Sequence, residues 1–258
     1  MSIFLYLKKC KLKYQYHACN LNNLIDKNIT LERDTHKYQL KLEPDIHFTS
    51  VTTYISKFFE EFDSKKIANN LVKNNPNYSN YTVDSLISEW NFAAEYGTKI
   101  HNEIEEWIKN GIEPKEEKAI IGKDWLHNYK SKSDIDVFSE IILYSKELEI
   151  AGTIDVLAKD NKTGEYVLID WKTSKKITTV SYKYKTGNHD ATKNIMDCNF
   201  YHYSLQMSLY RYILEEFYGL RVRNQVIAHI KDDGVDAHLA PYMKKEILKM
   251  LEYRNDFH

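Results

Sequence analysis

The chain has 258 residues, room for one large or two small domains, and its 43% hydrophobic and 28% charged composition is that of a water-soluble globular protein with a sizeable core. With 36 Lys and Arg against 37 Asp and Glu the net charge is −1, so no global basic field announces nucleic acid and any such site must be a local patch. Three scattered cysteines (Cys10, Cys19, Cys198) with no Cys-x-x-Cys pair argue against a disulfide framework and fit a reducing, intracellular compartment; no apolar run approaches membrane-spanning length, and Met1 to Leu7 is too short for a secretory signal.

In chain order, residues 1–49 are irregular. Ile3 to Leu7 reads as a short strand, and His36 to Leu42 alternates as a second one before Pro44-Asp45 turns it. Ser50 or Thr52 is the expected N-cap of a helix over Tyr54 to Phe62, and Asp63 that of a helix running to Lys73. Asn74 to Asn80 is a loop. Thr82 or Asp84 starts a long helix that Gly111 ends. Leu86, Trp90, Ala93, Ala94, Gly97, Ile100 and Ile104 form its apolar stripe, and His101 and Glu105, four apart, point the same way. A lone helical histidine is more often a satisfied or solvent-facing residue than a ligand. Glu105 is expected to orient its neighbour rather than bind metal. Lys115 to Lys132 reads as a further helix with Ile120, Ile121, Trp125 and Tyr129 inward.

Three strands follow as a meander. Val137 to Ser145 alternates, with Glu140 facing either the site or solvent. Ala151 to Ala158 and Glu165 to Trp171 flank the turn chemistry of residues 159–164. On the last strand Leu168, Asp170 and Lys172 share one face, and Val167, Ile169 and Trp171 the other. Asp155, on the preceding strand after Gly152, can reach the same spot. Two carboxylates and a lysine at a strand end are costly to bury unless they pair or hold a metal. One explanation is a structural Asp170–Lys172 salt bridge. The other is metal-assisted phosphodiester hydrolysis, in which carboxylates hold magnesium or manganese and lysine serves the attacking water or the phosphate.

Residues 173–193 are rich in lysine, tyrosine and hydroxyl groups. They suit phosphate and base contacts, or equally a solvated loop. Tyr201 to Tyr218 is a helix that places Gln206 and Tyr210 on one face, to orient a phosphate, to buttress the aspartates, or simply as amphipathic packing. Val222 to Ile230 is a strand extended by Val235 to Leu239, and Pro241 to Tyr253 is a closing helix. No internal repeat or linker marks a domain boundary, so the chain is taken as one unit: an extension over 1–80, a core over 81–240 and a C-terminal helix over 241–258.

The series Gly97-Thr-x-x-His101, Gly152-x-x-Asp155, Asp170-x-Lys172-Thr173 and Gln206-x-x-x-Tyr210 resembles the motif order of the PD-(D/E)XK nucleases. More narrowly it resembles their RecB-like branch, which includes the mitochondrial genome maintenance exonuclease and CRISPR-associated exonucleases. The motifs span residues 97–210, a little under half the chain. The resemblance implies an α/β restriction-endonuclease-like core, a central mixed β-sheet flanked by helices, with an N-terminal helical extension that forms an arch for single strands. It implies His101, Asp155, Asp170 and the Trp171 carbonyl as ligands of Mg2+ or Mn2+. Asp155, Asp170 and Lys172 would be catalytic, and Thr173, Lys175, Gln206 and Tyr210 would contact substrate. The cysteines that hold an iron–sulfur cluster in some members are missing, so no cluster is expected. The sequence carries no helicase motif.

The favoured function is therefore a metal-dependent DNA exonuclease on single-stranded ends or flaps, in replication, recombination or DNA repair. Its partners are DNA and unidentified proteins of those processes, and no membrane. An endonuclease on DNA or RNA and an inactive nucleic-acid-binding module are the alternatives. The convergent carboxylates argue against the last, because a pure binder gains nothing from facing them at a polyanion.

Overall fold

The computed structural model describes residues 24–33 and 35–254. The strand expected at Ile3 to Leu7 lies outside them. The first described elements are a hairpin, β1 (Ile29–Glu32) paired antiparallel with β2 (Lys37–Leu40). The extension is thus not helical throughout, and β1 carries no alternation long enough to read from sequence. A two-residue strand β3 (Thr49–Ser50) leads into α1 (Val51–Ser56), which the Ser50 side chain caps by accepting from Thr53 N–H. Such a cap is worth about 1 kcal/mol. This helix is one turn earlier and shorter than the periodicity predicts. Helix α2 (Ser64–Asn74) is capped by Asp63 as expected.

The long helix α3 (Val83–Asn110) begins at a reciprocal Thr82–Ser85 capping box. It ends at Gly111, whose φ of 69° is the left-handed conformation that glycine adopts without penalty. Its apolar stripe is only partly used. Leu86, Ile100 and Ile104 are buried, but Ala93 and Ala94 are exposed, so the middle of the helix stands off the body. Helix α4 (Glu117–Ser131) buries Ala119, Gly122 and Leu126 and leaves Ile120 at the surface, contrary to the inward placement its spacing suggests.

The main sheet holds β3, β4 (Ile135–Ser145), β5 (Ile150–Asp160), β6 (Tyr166–Lys172), β7 (Val222–Lys231) and β8 (Gly234–Leu239). Strands β4, β5 and β6 form the expected antiparallel meander. Helix α5 (Asn199–Phe217) then crosses over so that β7 lies parallel to β6, and β8 turns back antiparallel. The last helix is α6 (Lys244–Glu252). This is a mixed α/β architecture with a central mixed sheet flanked by helices.

The alternation read along β6 decides the layers. Leu168 joins the core formed with α1, α5 and α6, whereas Val167, Ile169 and Trp171 join the one formed with α3 and α4. Trp171 packs edge-on to Trp125 and is buried, a contribution of about 2–3 kcal/mol. The β1–β2 hairpin forms a third cluster around Tyr38, Leu40 and Ala151.

Strand β5 gives one edge to β4 along its whole length and shares the other. There β3 pairs with Ile150 and Ala151, and β6 pairs with Val156 to Lys159. Residues 152–155 between these stretches have no strand partner on that side among the described residues, which leaves a notch in the sheet.

Candidate active site

The notch is where the motif residues meet. Asp155 stands at its edge, and its Oδ2 accepts a hydrogen bond of 2.8 Å from Trp171 N–H. A side chain thus replaces the ladder just where β5 and β6 part. One position before Trp171, Asp170 is buried. Its Oδ1 accepts from Gln206 Nε2 at 3.2 Å, and the same amide lies 3.2 Å from the Tyr210 hydroxyl. Its Oδ2 is paired with Lys172 Nζ at 2.5 Å. Lys172 in turn lies over the Tyr203 ring, 4.6 Å from its centre. From the other layer, His101 of α3 brings Nδ1 to 3.4 Å from Asp155 Oδ2.

Each component follows from local sequence. The meander turn is closed by Asp160, whose carboxylate accepts from the N–H groups of Lys162 and Thr163. Gly152 is required because a Cβ there would stand 2.5 Å from Tyr210 Cε1. Its absence lets α5 press Tyr210, and with it Gln206, against the aspartates. Thr173 lies against α3, its Oγ1 only 2.9 Å from where a Cβ on Gly97 would stand. Lys175 reaches out from the same loop and pairs with Glu89 of α3 at 2.7 Å.

Glu140, whose direction the sequence leaves open, faces the site. Its neighbours Ser139 and Ile141 pair with Val156 and Ile154, which puts Glu140 opposite Asp155. Glu140 itself has a φ of 53°, left-handed backbone inside a strand, a local strain typical of functional positions. Burial, reinforced by Asp155 and Glu105, pushes its carboxyl up to about 7. Glu105 is buried too and is held by Arg33 at 3.1 Å and Lys109 at 2.7 Å, with no hydrogen bond to His101. Arg33 and Tyr38, whose hydroxyl meets Thr153 Oγ1 at 3.0 Å, bring the β1–β2 hairpin to the rim. No local motif marks either residue; only the tertiary docking of the hairpin does.

Electrostatically the site gathers acidic groups around Lys172, with Arg33 and Lys109 acting from its Glu105 side. Burial raises the Asp170 carboxyl above its ordinary value, with Lys172 opposing and Asp155 reinforcing. Burial pulls the Lys172 ammonium down, but Asp170 and Asp155 outweigh it and hold the group above its ordinary value. Lys172 is therefore charged. The Tyr210 hydroxyl is pushed far up by burial and stays protonated, so it serves as a neutral hydrogen-bonding group.

All the expected site residues except Lys175 thus gather around the notch. The Trp171 contribution seen directly is its N–H, while its ring belongs to the core. Asp170 is more deeply buried than a strand-end position suggests, so a substitution there bears on folding. A separate open groove of about 420 Å³ runs along α3 and the segment after it, past Lys99, Asn102, Glu103 and Glu106, and includes none of the aspartates.

No family model and no curated protein matches the chain. Among solved structures it is similar to that of SSO0001, with 12% identity over 100% of this chain and 87% of the other, at a TM-score of 0.36.

Proposed function

We propose that the chain is a divalent-metal-dependent nuclease that hydrolyses DNA phosphodiester bonds, acting as an exonuclease on single-stranded ends or flaps. The observation that carries this reading is the convergence of Asp155 and Asp170 on Lys172 at the notch. Lys172 pairs with Asp170 at 2.5 Å, and Glu140 and His101 complete the ring. The donor set fits a hard dication. Asp155 and Asp170 offer carboxylate oxygens side by side, and the Glu140 carboxyl sits in a field of neighbouring acids that a cation would relieve.

Asp155, Asp170 and His101, with the Trp171 carbonyl, would hold the ion. Bound Mg2+ or Mn2+ supplies a water of lowered pKa and neutralises phosphate charge. The chain's own residues do the rest. Lys172, kept protonated, offers N–H donors to the non-bridging phosphate oxygens or orients the attacking water. Gln206 and Tyr210 fix Asp170 in one rotamer, and Trp171 N–H fixes Asp155. Thr173 and Lys175 begin the loop that leads away from the site, where backbone phosphates would lie. Replication, recombination or DNA repair is the setting that fits such an activity.

The test is cleavage of end-labelled linear against circular single-stranded DNA, with Mg2+, Mn2+ or EDTA, for the wild type, Asp170→Asn and Lys172→Ala. Metal-dependent loss of the linear strand alone, reduced at least about a hundredfold in both variants, is the expected result. Cutting of the circle would make the protein an endonuclease. Wild-type rates in either variant would remove these residues from the active site.

A further inference from the structure

Beyond the notch, the β7–β8 hairpin carries a second set of metal-ligating side chains. The two-residue turn Asp232-Asp233 sets the register Lys231↔Gly234, which places His229 directly opposite Asp236. His238, two residues on, falls on the same face. One ligand atom from each of His229, Asp236 and His238 lies within 4.8 Å of the others. The two imidazoles are 6.2 Å apart, tilted by 34°.

Two further observations point to a ligand. His229 is buried, and its Nε2 lies 2.6 Å from the Ser174 carbonyl oxygen. A carbonyl only accepts, so the ring donates from Nε2 and keeps its lone pair on Nδ1. Metal-binding histidines are commonly fixed in one tautomer in this way. His238 Nε2 is buried with no hydrogen-bond partner, a cost of about 1–3 kcal/mol that an ion would remove. Asp236 is half-exposed and shares Oδ2 with Lys231 at 3.1 Å, which leaves its other oxygen for an ion.

We propose that His229, Asp236 and His238 form a transition-metal site, for Zn2+ foremost. Two imidazoles and one carboxylate select zinc-like ions over Mg2+ and Ca2+, which prefer all-oxygen shells, and three protein ligands leave one position for water. The role is structural. His229 pairs in register with Lys172 on β6 and bonds to Ser174 two residues beyond it. The ion therefore ties β8, an edge strand, to the segment that follows Lys172. The sequence signals for this are the Asp-Asp turn before Gly234 and the Asp-x-His period of two, which become a site only once the hairpin register is known.

The test separates this site from the notch. In His101→Ala, stripped with EDTA, Co2+ is expected to bind in one equivalent with visible ligand-field absorption. Zn2+ is expected to displace it and to raise Tm, whereas Mg2+ does neither. Adding Asp236→Asn or His238→Ala, both at partly exposed positions, should weaken Co2+ binding by about tenfold or more and abolish the Zn2+ shift, with unchanged circular dichroism. Unaltered Co2+ binding in both double variants, or no binding in His101→Ala itself, would overturn the proposal. Neither result depends on whether the chain cleaves DNA.

Discussion

Glu140 concentrates the energetics of the site in one side chain. Its backbone is left-handed within a strand, its neighbours are Asp155 and Glu105, and its carboxyl is raised from 4.5 to about 7. A carboxyl whose folded pKa exceeds its unfolded pKa imposes nothing below the unfolded value, where both states are protonated. Its cost grows between about 4.5 and 7, as the unfolded chain ionises first, and amounts to roughly 3 kcal/mol above that window. In EDTA, Glu140→Gln is therefore expected to melt several degrees above the wild type at pH 8, with the gap closing by pH 5. Thermal denaturation of both proteins across this range checks it; parallel curves would mean that Glu140 is not held in a strained field. The sequence shows why this residue was legible only halfway. Strand alternation gives two faces, but the notch that turns one of them into a site arises from the parting of β5 and β6, and local spacing carries no information about that.

At the scale of elements, most of the scaffold was readable because it is written in local chemistry. The Thr82 cap and Gly111 stop bound α3 to the residue, and the turn at Asp160 to Gly164 fixed the meander. The motif series singled out Asp155, Asp170 and Lys172, and the fold brings them together, Asp155 from the middle of β5 and the other two from the end of β6. What sequence alone overestimated was burial. The Ala93-Ala94 stretch of α3 has the spacing of a core stripe yet stays in solvent, because nothing described packs over that part of the helix. The exposed Phe62 leans on Trp90 of α3 at 5.7 Å, beside the Glu89 that holds Lys175. On the proposed nuclease function, these rings would serve as stacking platforms next to the loop that leaves β6. Phe62→Ala, made in an Asp170→Asn background, is expected to weaken binding of a labelled single-stranded oligonucleotide by roughly fivefold to tenfold, about 1 kcal/mol for one stacked base. Because the ring is exposed, Tm should not fall. Fluorescence anisotropy reads the affinity, and an unchanged Kd would route the strand away from the α2–α3 face.

At the scale of the whole molecule, charge decides how such a protein would meet a polyanion. The total is −1, so no long-range field draws nucleic acid in. The lysine-rich segment after β6 looks basic in sequence, but three of its lysines are paired on the surface: Lys175 with Glu89, Lys185 with Glu60 and Lys193 with Asp190. Under the proposed function, recognition would rest on a dication at the notch, on stacking, and on few phosphate contacts, a combination suited to short exposed strands rather than to duplex backbone. Each neutralised phosphate of a single strand contributes about 0.7 to the slope of log K against log salt. With three contacts the slope is about −2, and affinity falls only about twentyfold between 50 and 200 mM KCl. Titrations of the Asp170→Asn protein with a single-stranded oligonucleotide across that range measure it. A slope steeper than about −4 would require the paired lysines to leave their carboxylates and reach the strand, and the segment after β6 would then be a rearranging clamp instead of a pre-paired surface.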